Sequence, residues 1–426
     1  MRVDAIGDTL CAAVTAAALA QTGHQVTWYL PEGRYWQGLQ SGGDSYHEPG
    51  LMALVREQAD AGHLTIQAMD ALNEKPAPVV FMALSPGARE MAEAVLTWLV
   101  ERPGCELLVN QSVFPVGTTE ELQRQLEQRG HVIPVVCLPD TLQEGRALQD
   151  FIRPDHILLG CDDAVAERLV REILRPFNRR QDVIQVMRPR EAEFAKLAIS
   201  GMLATRLSFM NDMALLAEEL DVDIDVIRQG MGSDSRIGEA YLYAGCGFGG
   251  PGFSRDVMSL THTLRSRRIN AELLEQVLQI NERQKEVLFR KFWRHYEGEV
   301  SQRRVALWGV AFKPGSDRVD NGPALRLIEA LWAQDVEVHV HDPLALPELS
   351  CWAEGRGPLV LHDDGYDAVH NCDALMVVTE WKEYWSPDWT ALKSLMSTPV
   401  ILDGRNIYDP SYVKSKGFQY YGIGRG

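Results

Sequence analysis

The sequence lacks the usual marks of a disulfide-bonded, membrane-spanning or nucleic-acid-binding protein. Its seven cysteines are scattered and form no Cys-x-x-Cys pair, which predicts neither a disulfide scaffold nor a zinc site. The apolar stretch at 12–20 is too short to span a bilayer, and no basic segment precedes it as in a signal peptide. Basic residues are outnumbered, and a net charge of −17 argues against nucleic acid as the general partner. We therefore expect a cytoplasmic protein with no role at a membrane.

What the sequence does contain is a strand–turn–helix–strand pattern that occurs twice. The pattern fills 2–30 and returns at 303–342, and between the two copies 190–220 has the apolar spacing of one long helix. This helix has more than one apolar face, which is typical of a helix buried between domains or subunits. We predict an α/β fold with two doubly wound, Rossmann-like domains flanking a central helical domain, and a homodimer formed through the long helix.

The predicted boundaries give an N-terminal dinucleotide-binding domain at 1–188, a central domain at 189–298 and a C-terminal ligand-binding domain at 299–426. Ligands of such sheets bind beyond the carboxyl ends of the strands. Ser112, Thr379, Glu380 and 403–406 occupy positions of this kind. His339 and His341 alternate near Asp342, and we interpret them as a strand end, so no metal site is predicted.

The order of short motifs along the chain resembles the UDP-glucose/GDP-mannose dehydrogenase family from end to end. The matching segments are FPVGTT (114–119), LPDTLQEGRALQDFIRPDHILLG (138–160), EAEFAKLAISGMLATRLSFMND (191–212), GSDSRIG (232–238), GFGG (247–250), GVAFKPGSD (309–317), TEW (379–381) and DGRN (403–406). The resemblance implies an enzyme that oxidises the C6 alcohol of a UDP- or GDP-sugar twice with NAD. In the family, a cysteine thiolate attacks the intermediate aldehyde and is oxidised with it to a thioester, which water releases as an acid.

The catalytic positions implied by the resemblance are only partly kept. Gly252 stands where the family has its nucleophilic cysteine, and glycine cannot form a thiohemiacetal. Cys246, six residues earlier, is an alternative nucleophile only if the loop folds back. Other matching positions are Lys196 for oxyanion stabilisation, Ser200 in place of an asparagine, Glu144 and Asp140 as the two carboxylates, and Asp256 in the loop.

The cofactor positions implied by the resemblance are altered as well. In the first turn Gly7 is kept, Thr9 replaces the glycine that admits the pyrophosphate, and Ala12 is an acceptable third residue. Leu30 stands where an acidic residue should hold the ribose, and Glu32 is an alternative two residues later. Three further positions are assigned to the cofactor: Ser112, Arg255 in place of lysine, and Asp320 in place of arginine. We expect weak NAD binding or none.

The nucleotide-sugar positions are better preserved. The resemblance assigns substrate contacts to Arg236, Tyr241, Gly249, Gly250, Lys313 and Arg405, with Arg236 reaching across the dimer. The alternative is that these residues only stabilise the sheets and their interface, because AFKPG and DGRN also form tight turns.

Three hypotheses about function remain at this point. The protein is a catalytically impaired pseudoenzyme that binds a nucleotide sugar, an active NAD-dependent UDP-glucose 6-dehydrogenase with another nucleophile, or an enzyme that stops after one oxidation. The concentration of changes at Gly252, Thr9, Leu30 and Asp320 favours the pseudoenzyme. Its role would be binding or regulation in polysaccharide or nucleotide-sugar metabolism, and a partner could be an active dehydrogenase or another protein of polysaccharide synthesis.

Overall fold

A computed structural model describes residues 1–41, 46–72, 74–179 and 182–425. The contacts divide the chain into two compact units, Met1–Ala198 and Ile199–Gly426, which we call the N-terminal unit and the C-terminal unit. The division falls inside one long helix, Pro189–Glu219. Each unit is therefore described by itself.

The N-terminal unit is built on an eight-stranded sheet within the described residues. Its strand order is β3-β2-β1-β4-β5-β6-β7-β8, and all neighbours are parallel except β6 and β7. The strands are β1 (Arg2–Ile6), β2 (Gln25–Leu30), β3 (Leu64–Ala68), β4 (Val79–Met82), β5 (Leu107–Asn110), β6 (Val135–Cys137), β7 (Ile157–Gly160) and β8 (Ile184–Met187). The central strands β4 and β5 are buried throughout, which explains their uninterrupted apolar sequences VVFM and LLVN.

The helices of the N-terminal unit pack on this sheet. They are α1 (Leu10–Gln21), α2 (Arg34–Gln40), α3 (Leu51–Asp60), α4 (Arg89–Glu101), α5 (Thr118–Gln128), α6 (Ala147–Ile152) and α7 (Ala164–Leu174), followed by α8 (Pro189–Glu219), which continues into the C-terminal unit. Helix α1 is buried from Cys11 to Ala20. Its many alanines favour helix formation and allow close packing on all sides.

The C-terminal unit contains a six-stranded, fully parallel sheet within the described residues. Its order is β11-β10-β9-β12-β13-β14. The strands are β9 (Arg304–Trp308), β10 (Glu337–His341), β11 (Val360–His362), β12 (Ala374–Val377), β13 (Val400–Asp403) and β14 (Gln419–Tyr421). In both sheets the first strand lies at the point where the chain reverses direction across the sheet, which is where doubly wound folds bind ligands.

Helices precede and surround this second sheet. They are α9 (Ile224–Gly232), α10 (Phe253–Ser266), α11 (Glu272–Gln284), α12 (Val287–His295), α13 (Pro323–Trp332), α14 (Leu346–Ala353), α15 (Gly365–Ala368), α16 (Trp389–Leu395) and α17 (Pro410–Ser415). Among the described helices, none is both long enough and apolar enough to cross a bilayer.

The predicted fold class is confirmed, since two parallel doubly wound sheets and a run of helices between them are all present. The helices α8 to α12 fall within the predicted central part. The division into three domains with boundaries at 188 and 298 stays a prediction.

Candidate functional site

The first turn of the N-terminal unit requires glycine at Gly7. Its φ angle is +133°, and a Cβ atom there would lie 2.1 Å from the carbonyl oxygen of Ala83. Only a residue without a side chain allows the turn after β1 to approach the end of β4 this closely. The turn shape that the sequence predicted is thus present, whereas a cofactor contact by Gly7 stays a prediction.

Thr9 caps the helix that follows this turn. Its Oγ1 accepts a hydrogen bond from the backbone N–H of Ala12 at 3.2 Å and donates one to the carbonyl oxygen of Ala83 at 2.8 Å. Ala12 itself is buried against Cys11 and Ala83. An N–H at a helix start is the group that would meet a phosphate, and here the chain's own hydroxyl engages it.

Two aromatic side chains cover the same turn, and the sequence analysis missed both. Trp28 donates from Nε1 to the carbonyl oxygen of Gly7 at 2.9 Å, and Tyr46 donates from its hydroxyl to that of Asp8 at 2.9 Å. The Tyr46 ring stacks on Tyr35 with centroids 4.4 Å apart, and burial raises the pKa of Tyr46 well above its usual range. The available signal was the bulky sequence TWYL at the end of β2.

The end of β2 carries no carboxylate. Leu30 is fully buried in the main apolar core of the N-terminal unit, and Glu32 lies exposed beyond the strand. A dinucleotide needs an acceptor for its ribose hydroxyls here and free amides for its pyrophosphate. The residues of this edge do not fit that group in the way that the resemblance implies.

Ser112 joins the ends of two strands of the N-terminal unit. Its Oγ accepts from the N–H of Leu84 at 2.9 Å and donates to the carbonyl oxygen of Met82 at 3.2 Å. The hydroxyl therefore has a structural partner on each side, and its predicted contact with a cofactor remains untested.

The charges of Lys196 and Asp140 both act on one buried thiol, that of Cys11. Burial raises the pKa of Cys11 most, the Asp140 carboxylate raises it further, and the Lys196 ammonium lowers it. Asp140 also accepts the N–H of Leu142 at 3.0 Å. Glu144, the other predicted carboxylate, lies partly buried in the turn before α6.

In the C-terminal unit, Ser200 and Asp256 are brought together. The Ser200 hydroxyl donates to Oδ2 of Asp256 at 2.9 Å, and both residues are buried. Four residues before Ser200, on the same helix, is Lys196. The sequence had placed all three in one site, and the contact between Ser200 and Asp256 agrees with that placement without testing their roles.

The glycine-rich loop 245–252 is clamped by polar side chains of α11. Asn281 donates to the carbonyl oxygen of Phe248 at 3.0 Å and accepts its N–H at 2.8 Å, while Gln284 donates to the carbonyl oxygen of Gly245 at 2.8 Å. Asn281 and Gln284 are both 1% exposed. Sequence reasoning missed this clamp, although polar residues three apart on a buried helix face were a signal.

Gly249 and Gly250 of this loop lie in close contact with the segment after β9. A Cβ at Gly249 would lie 2.5 Å from the carbonyl oxygen of Asn321, and one at Gly250 would lie 2.7 Å from the Phe312 ring. The N–H of Gly250 donates to the carbonyl oxygen of Asp320 at 2.8 Å. The ammonium of Lys313 lies 5.5 Å from the Phe312 ring centroid, so Gly250 and Lys313 are neighbours of the same aromatic ring.

Gly252 begins α10 without a side-chain cap, and a Cβ built there meets no atom within 4 Å. Cys246, the alternative thiol, is 1% exposed, and its Sγ lies 3.7 Å from the carbonyl oxygen of Val378. Burial raises its pKa. This burial disfavours Cys246 as the nucleophile, and its role stays untested.

The other buried thiols are no better suited to attack an aldehyde. A nucleophilic cysteine needs a lowered pKa and access to its substrate. Burial instead raises the pKa of each buried cysteine of the chain, namely Cys11, Cys105, Cys137, Cys161, Cys246 and Cys372. Cys351 is exposed and lies on α14.

Arg405 organises the edge of the second sheet. Its Nε donates to the carbonyl oxygen of Val378 at 2.7 Å, its Nη1 donates to that of Gly247 at 3.2 Å, and its Nε lies 3.2 Å from the Glu380 carboxylate. It lines a cavity of about 460 Å³, which we call the Arg405 cavity. Its other walls include Asn211, Arg228, Tyr243, Phe248, Glu380 and Trp385.

A second cavity in this unit, of about 540 Å³, holds the two remaining cofactor candidates, Arg255 and Asp320. We call it the α10–α14 cavity. The Asp320 carboxylate is bound by Arg318 through two hydrogen bonds of 2.7 and 3.0 Å. The charge reversal that the sequence suggested at Asp320 is thus offset by its neighbour, which the sequence analysis did not consider.

Arg236 and Tyr241 line neither cavity. Arg236 has an 86% exposed side chain that pairs with Asp234 at 2.7 Å. The Tyr241 ring lies 6.3 Å from that of Phe253, at the start of α10. Their predicted roles in substrate binding are not tested. In the described part of the chain, no three His, Cys, Asp or Glu side chains are grouped so that they could hold a metal ion.

Comparison with known proteins identifies relatives over the whole chain. UDP-glucose 6-dehydrogenase of Pseudomonas aeruginosa is 39% identical over 446 aligned residues that cover 100% of this chain and 98% of the relative. The enzyme of the same name from Rhizobium meliloti is 31% identical over 438 residues that cover both chains completely. A solved UDP-glucose dehydrogenase from the hyperthermophilic archaeon Pyrobaculum islandicum superposes with a TM-score of 0.88 at 26% identity, covering 100% of this chain and 98% of that one.

Three domains of one family match successive parts of the sequence. Residues 1–178 match its NAD binding domain, 190–283 its central domain and 306–410 its UDP binding domain. The order of motifs, the two sheets and these matches agree. The chain belongs to the UDP-glucose/GDP-mannose dehydrogenase family.

Proposed function

We propose that this protein binds a UDP-sugar of the UDP-glucose type and is impaired in the two-step oxidation of its family. The observation that carries the proposal is the position and burial of the cysteine thiols of the chain. Gly252 offers no side chain at the start of α10, and burial raises the pKa of all six buried cysteines. Without a thiol at the start of α10, an aldehyde held there cannot form a thiohemiacetal and be carried on to a thioester.

The first turn of the N-terminal unit supports weak NAD binding. Thr9 engages the helix-start amide, Trp28 and Tyr46 bind the carbonyl oxygens of the turn, and Leu30 provides no carboxylate. The hydrogen bond between the Ala12 amide and Thr9 would have to be exchanged before a pyrophosphate could bind that amide as the resemblance implies. The family match to an NAD binding domain supports a nucleotide-binding ancestry for this unit, and the altered residues support reduced affinity.

The Arg405 cavity supports nucleotide-sugar binding. It combines aromatic walls with a small number of charged and amide groups, which is the usual composition of a small-molecule site. The family match to a UDP binding domain over 306–410 includes Arg405. We infer that Arg405 faces the bound nucleotide sugar, together with the predicted contacts from Gly249, Gly250 and Lys313.

The test combines an activity assay with direct binding. Purified protein is mixed with UDP-glucose and NAD, and NADH is followed by absorbance, while calorimetry measures the binding of UDP-glucose and of NAD separately. We expect UDP-glucose to bind, NAD to bind weakly and no NADH to form. Arg405→Ala should weaken UDP-glucose binding at least tenfold. Lys382→Ala, which removes an exposed cation nearby, should not.

Gly252→Cys sharpens this test. The open space around Gly252 accommodates the new side chain, so the variant should fold and bind UDP-glucose as the native chain does. Formation of two NADH per UDP-glucose by the native chain would refute the proposal, and one NADH would indicate an enzyme that stops after a single oxidation.

A second candidate function, which the comparisons support better than impaired catalysis, is that of an active NAD-dependent UDP-glucose 6-dehydrogenase. Its support is the 39% identity over the whole chain to a protein of that name. The contact between Ser200 and Asp256 and the position of Lys196 on α8 also agree with an intact part of a catalytic site. The stoichiometry of NADH separates this candidate from the first.

For assembly and location we propose a homodimer in the cytoplasm. Helix α8 carries exposed apolar residues at Ile199, Met202, Phe209 and Leu216, which recur at spacings of three and seven along one face. Such an exposed stripe is typical of an interface between helices. Sedimentation analysis tests it, since Met202→Glu with Phe209→Glu should give monomers. An active dehydrogenase or a protein of polysaccharide synthesis is the alternative occupant of this face.

A further inference from the structure

The segment 422–425, which follows β14, packs against the start of α9. The carbonyl oxygen of Gly424 accepts the N–H of Ile224 at 2.9 Å, and the N–H of Gly424 donates to Oε1 of Glu218 at 2.8 Å. The φ angle of Gly424 is +69°, and a Cβ atom there would lie 2.7 Å from the Cβ of Ala214. Because only glycine fits this position between α8 and α9, the path of the segment is closely determined.

The same segment is bonded to a residue that lines the Arg405 cavity. Asn406 donates from its side-chain amide to the carbonyl oxygen of Ile423 and accepts the N–H of Ile423, both at 2.8 Å. Ile423 is buried, and Asn406 is part of the cavity wall. One wall of the cavity is therefore tied to the segment 422–425 by a pair of hydrogen bonds.

Arg425 joins the segment to a second residue of this wall. Its Nη1 donates to Oδ2 of Asp225 at 2.9 Å, and its Nη2 lies 3.1 Å from Oδ2 of Asp223. The Arg425 side chain is 11% exposed, so its charge is only weakly screened by salt. Asp225 lines the Arg405 cavity, whereas Arg425 is not among the residues of its wall. Arg425 therefore acts on the cavity through Asp225.

The charges around Asp225 balance because Arg425 is present. Oδ1 of Asp225 lies 3.4 Å from Nε of Arg228, whose guanidinium lies 5.5 Å from the Tyr243 ring centroid in the wall of the cavity. The carboxylates of Asp223 and Asp225 thus meet two guanidiniums. Without Arg425, the two carboxylates would remain against the single guanidinium of Arg228, and this surplus of negative charge would repel an anionic ligand.

We propose that Arg425 is a positioning residue for the nucleotide sugar. It neutralises Asp225 at the wall of the Arg405 cavity and so allows the diphosphate of the ligand to bind there, although it lies 200 positions further along the chain than Asp225. This inference rests on the proposed binding of a UDP-sugar. It adds a residue that lies outside the cavity wall and acts on the ligand through the charge of another residue.

Calorimetry with UDP-glucose on the full chain tests the proposal. Arg425→Met keeps most of the apolar stem and removes the charge, and it should weaken UDP-glucose binding about fivefold or more. Arg425→Lys, which keeps the charge, should retain most of the affinity. Arg267→Met, which removes an exposed arginine at the end of α10, should leave binding unchanged.

A second change at Asp225 separates an effect of charge from a structural effect. Asp225→Asn alone should bind UDP-glucose more tightly than the native chain does, since it removes a negative charge from the wall. Combined with Arg425→Met, it should restore the affinity to within about twofold of the native value, because the surplus carboxylate is gone. If Arg425 served only to hold the fold, the second substitution would leave the loss in place.

Two results would overturn the inference alone. One is equal binding of UDP-glucose by the native chain and Arg425→Met, and the other is a loss that Asp225→Asn does not reverse. A loss of the same size in Arg267→Met would assign the effect to net charge and overturn the inference as well. No binding of UDP-glucose by the native chain would overturn the proposed function and, with it, the role of Arg425.

Discussion

The two sheets of this chain have the same strand order at their centres. They differ in the side chains that lie at the carboxyl ends of their strands. Both place their first strand between the second and fourth of their own series, as in β3-β2-β1-β4-β5 and β11-β10-β9-β12-β13. At the edge of the N-terminal unit, Thr9, Trp28 and Tyr46 bond to the first turn itself. At the corresponding edge of the C-terminal unit, two cavities of about 460 and 540 Å³ carry charged residues.

This difference shows which property the topology decides. A doubly wound sheet determines where the carboxyl ends of its strands meet and thus where a ligand site can form. Whether that place is open depends on a few side chains at the strand ends. A leucine there offers no hydrogen-bonding group, whereas an arginine anchored on backbone carbonyls, such as Arg405, keeps the edge polar.

The largest effect is expected from Gly7→Ala, which tests the close approach of the first turn to the end of β4. The new Cβ would lie 2.1 Å from the carbonyl oxygen of Ala83 at a backbone φ of +133°, so both the turn and β4 must shift. We expect a loss of about 3 kcal/mol or more in the free energy of unfolding, measured in urea. Gly87→Ala, where a Cβ meets nothing within 4 Å, is the matched control. Equal stability of the two variants would contradict the close approach.

The next largest effect is expected from Asn281→Ala in the C-terminal unit. This change removes both hydrogen bonds to Phe248 and leaves a buried N–H and a buried carbonyl group without partners. We expect a loss of roughly 2–3 kcal/mol in stability and weaker UDP-glucose binding, because the loop 245–252 is no longer held. Gln279→Ala on the exposed face of the same helix should change neither. If binding is weakened equally by both variants, the clamp is not what positions the loop.

The sequence predicted what depends on local pattern. The two doubly wound sheets, the long helix and the turn at Gly7 follow from periodicity and motif spacing, because each is fixed by residues close together or by a shared topology. The neighbourhood of Ser200 and Asp256 was implied by the family resemblance. The sequence analysis treated Leu30 and Thr9 as lost contacts but did not foresee what their side chains do, since that depends on Ala83 and on the core. The pairing of Trp28 and Tyr46 with the first turn joins residues up to 38 positions apart.

A smaller effect is expected from Thr9→Ala, which opens the helix start without adding any new group. Loss of the cap to Ala12 and of the bond to Ala83 should lower stability by about 1 kcal/mol. The freed amide should bind inorganic pyrophosphate more tightly than the native chain does, as measured by calorimetry. Thr65→Ala, on an exposed face of β3, should alter neither quantity. Unchanged pyrophosphate affinity would show that Thr9 is not what closes this edge.

The smallest effect concerns pH, and it compares one histidine from each unit. Burial lowers the pKa of His24 and of His362 from the usual 6.5, and the neighbouring His339, hydrogen-bonded to His362 at 2.9 Å, lowers that of His362 further. Both imidazoles are thus neutral in the folded chain at a pH where the unfolded chain begins to take up protons. The contribution of these two imidazoles to the free energy of unfolding should be fully present above pH 6.5 and should be lost as the pH falls below it.

His24→Gln and His362→Gln should each flatten the decline of the melting temperature between neutral and mildly acidic pH. A decline as steep as that of the native chain in both variants would assign the acid sensitivity to other groups, and a flattening in only one would assign it to that histidine.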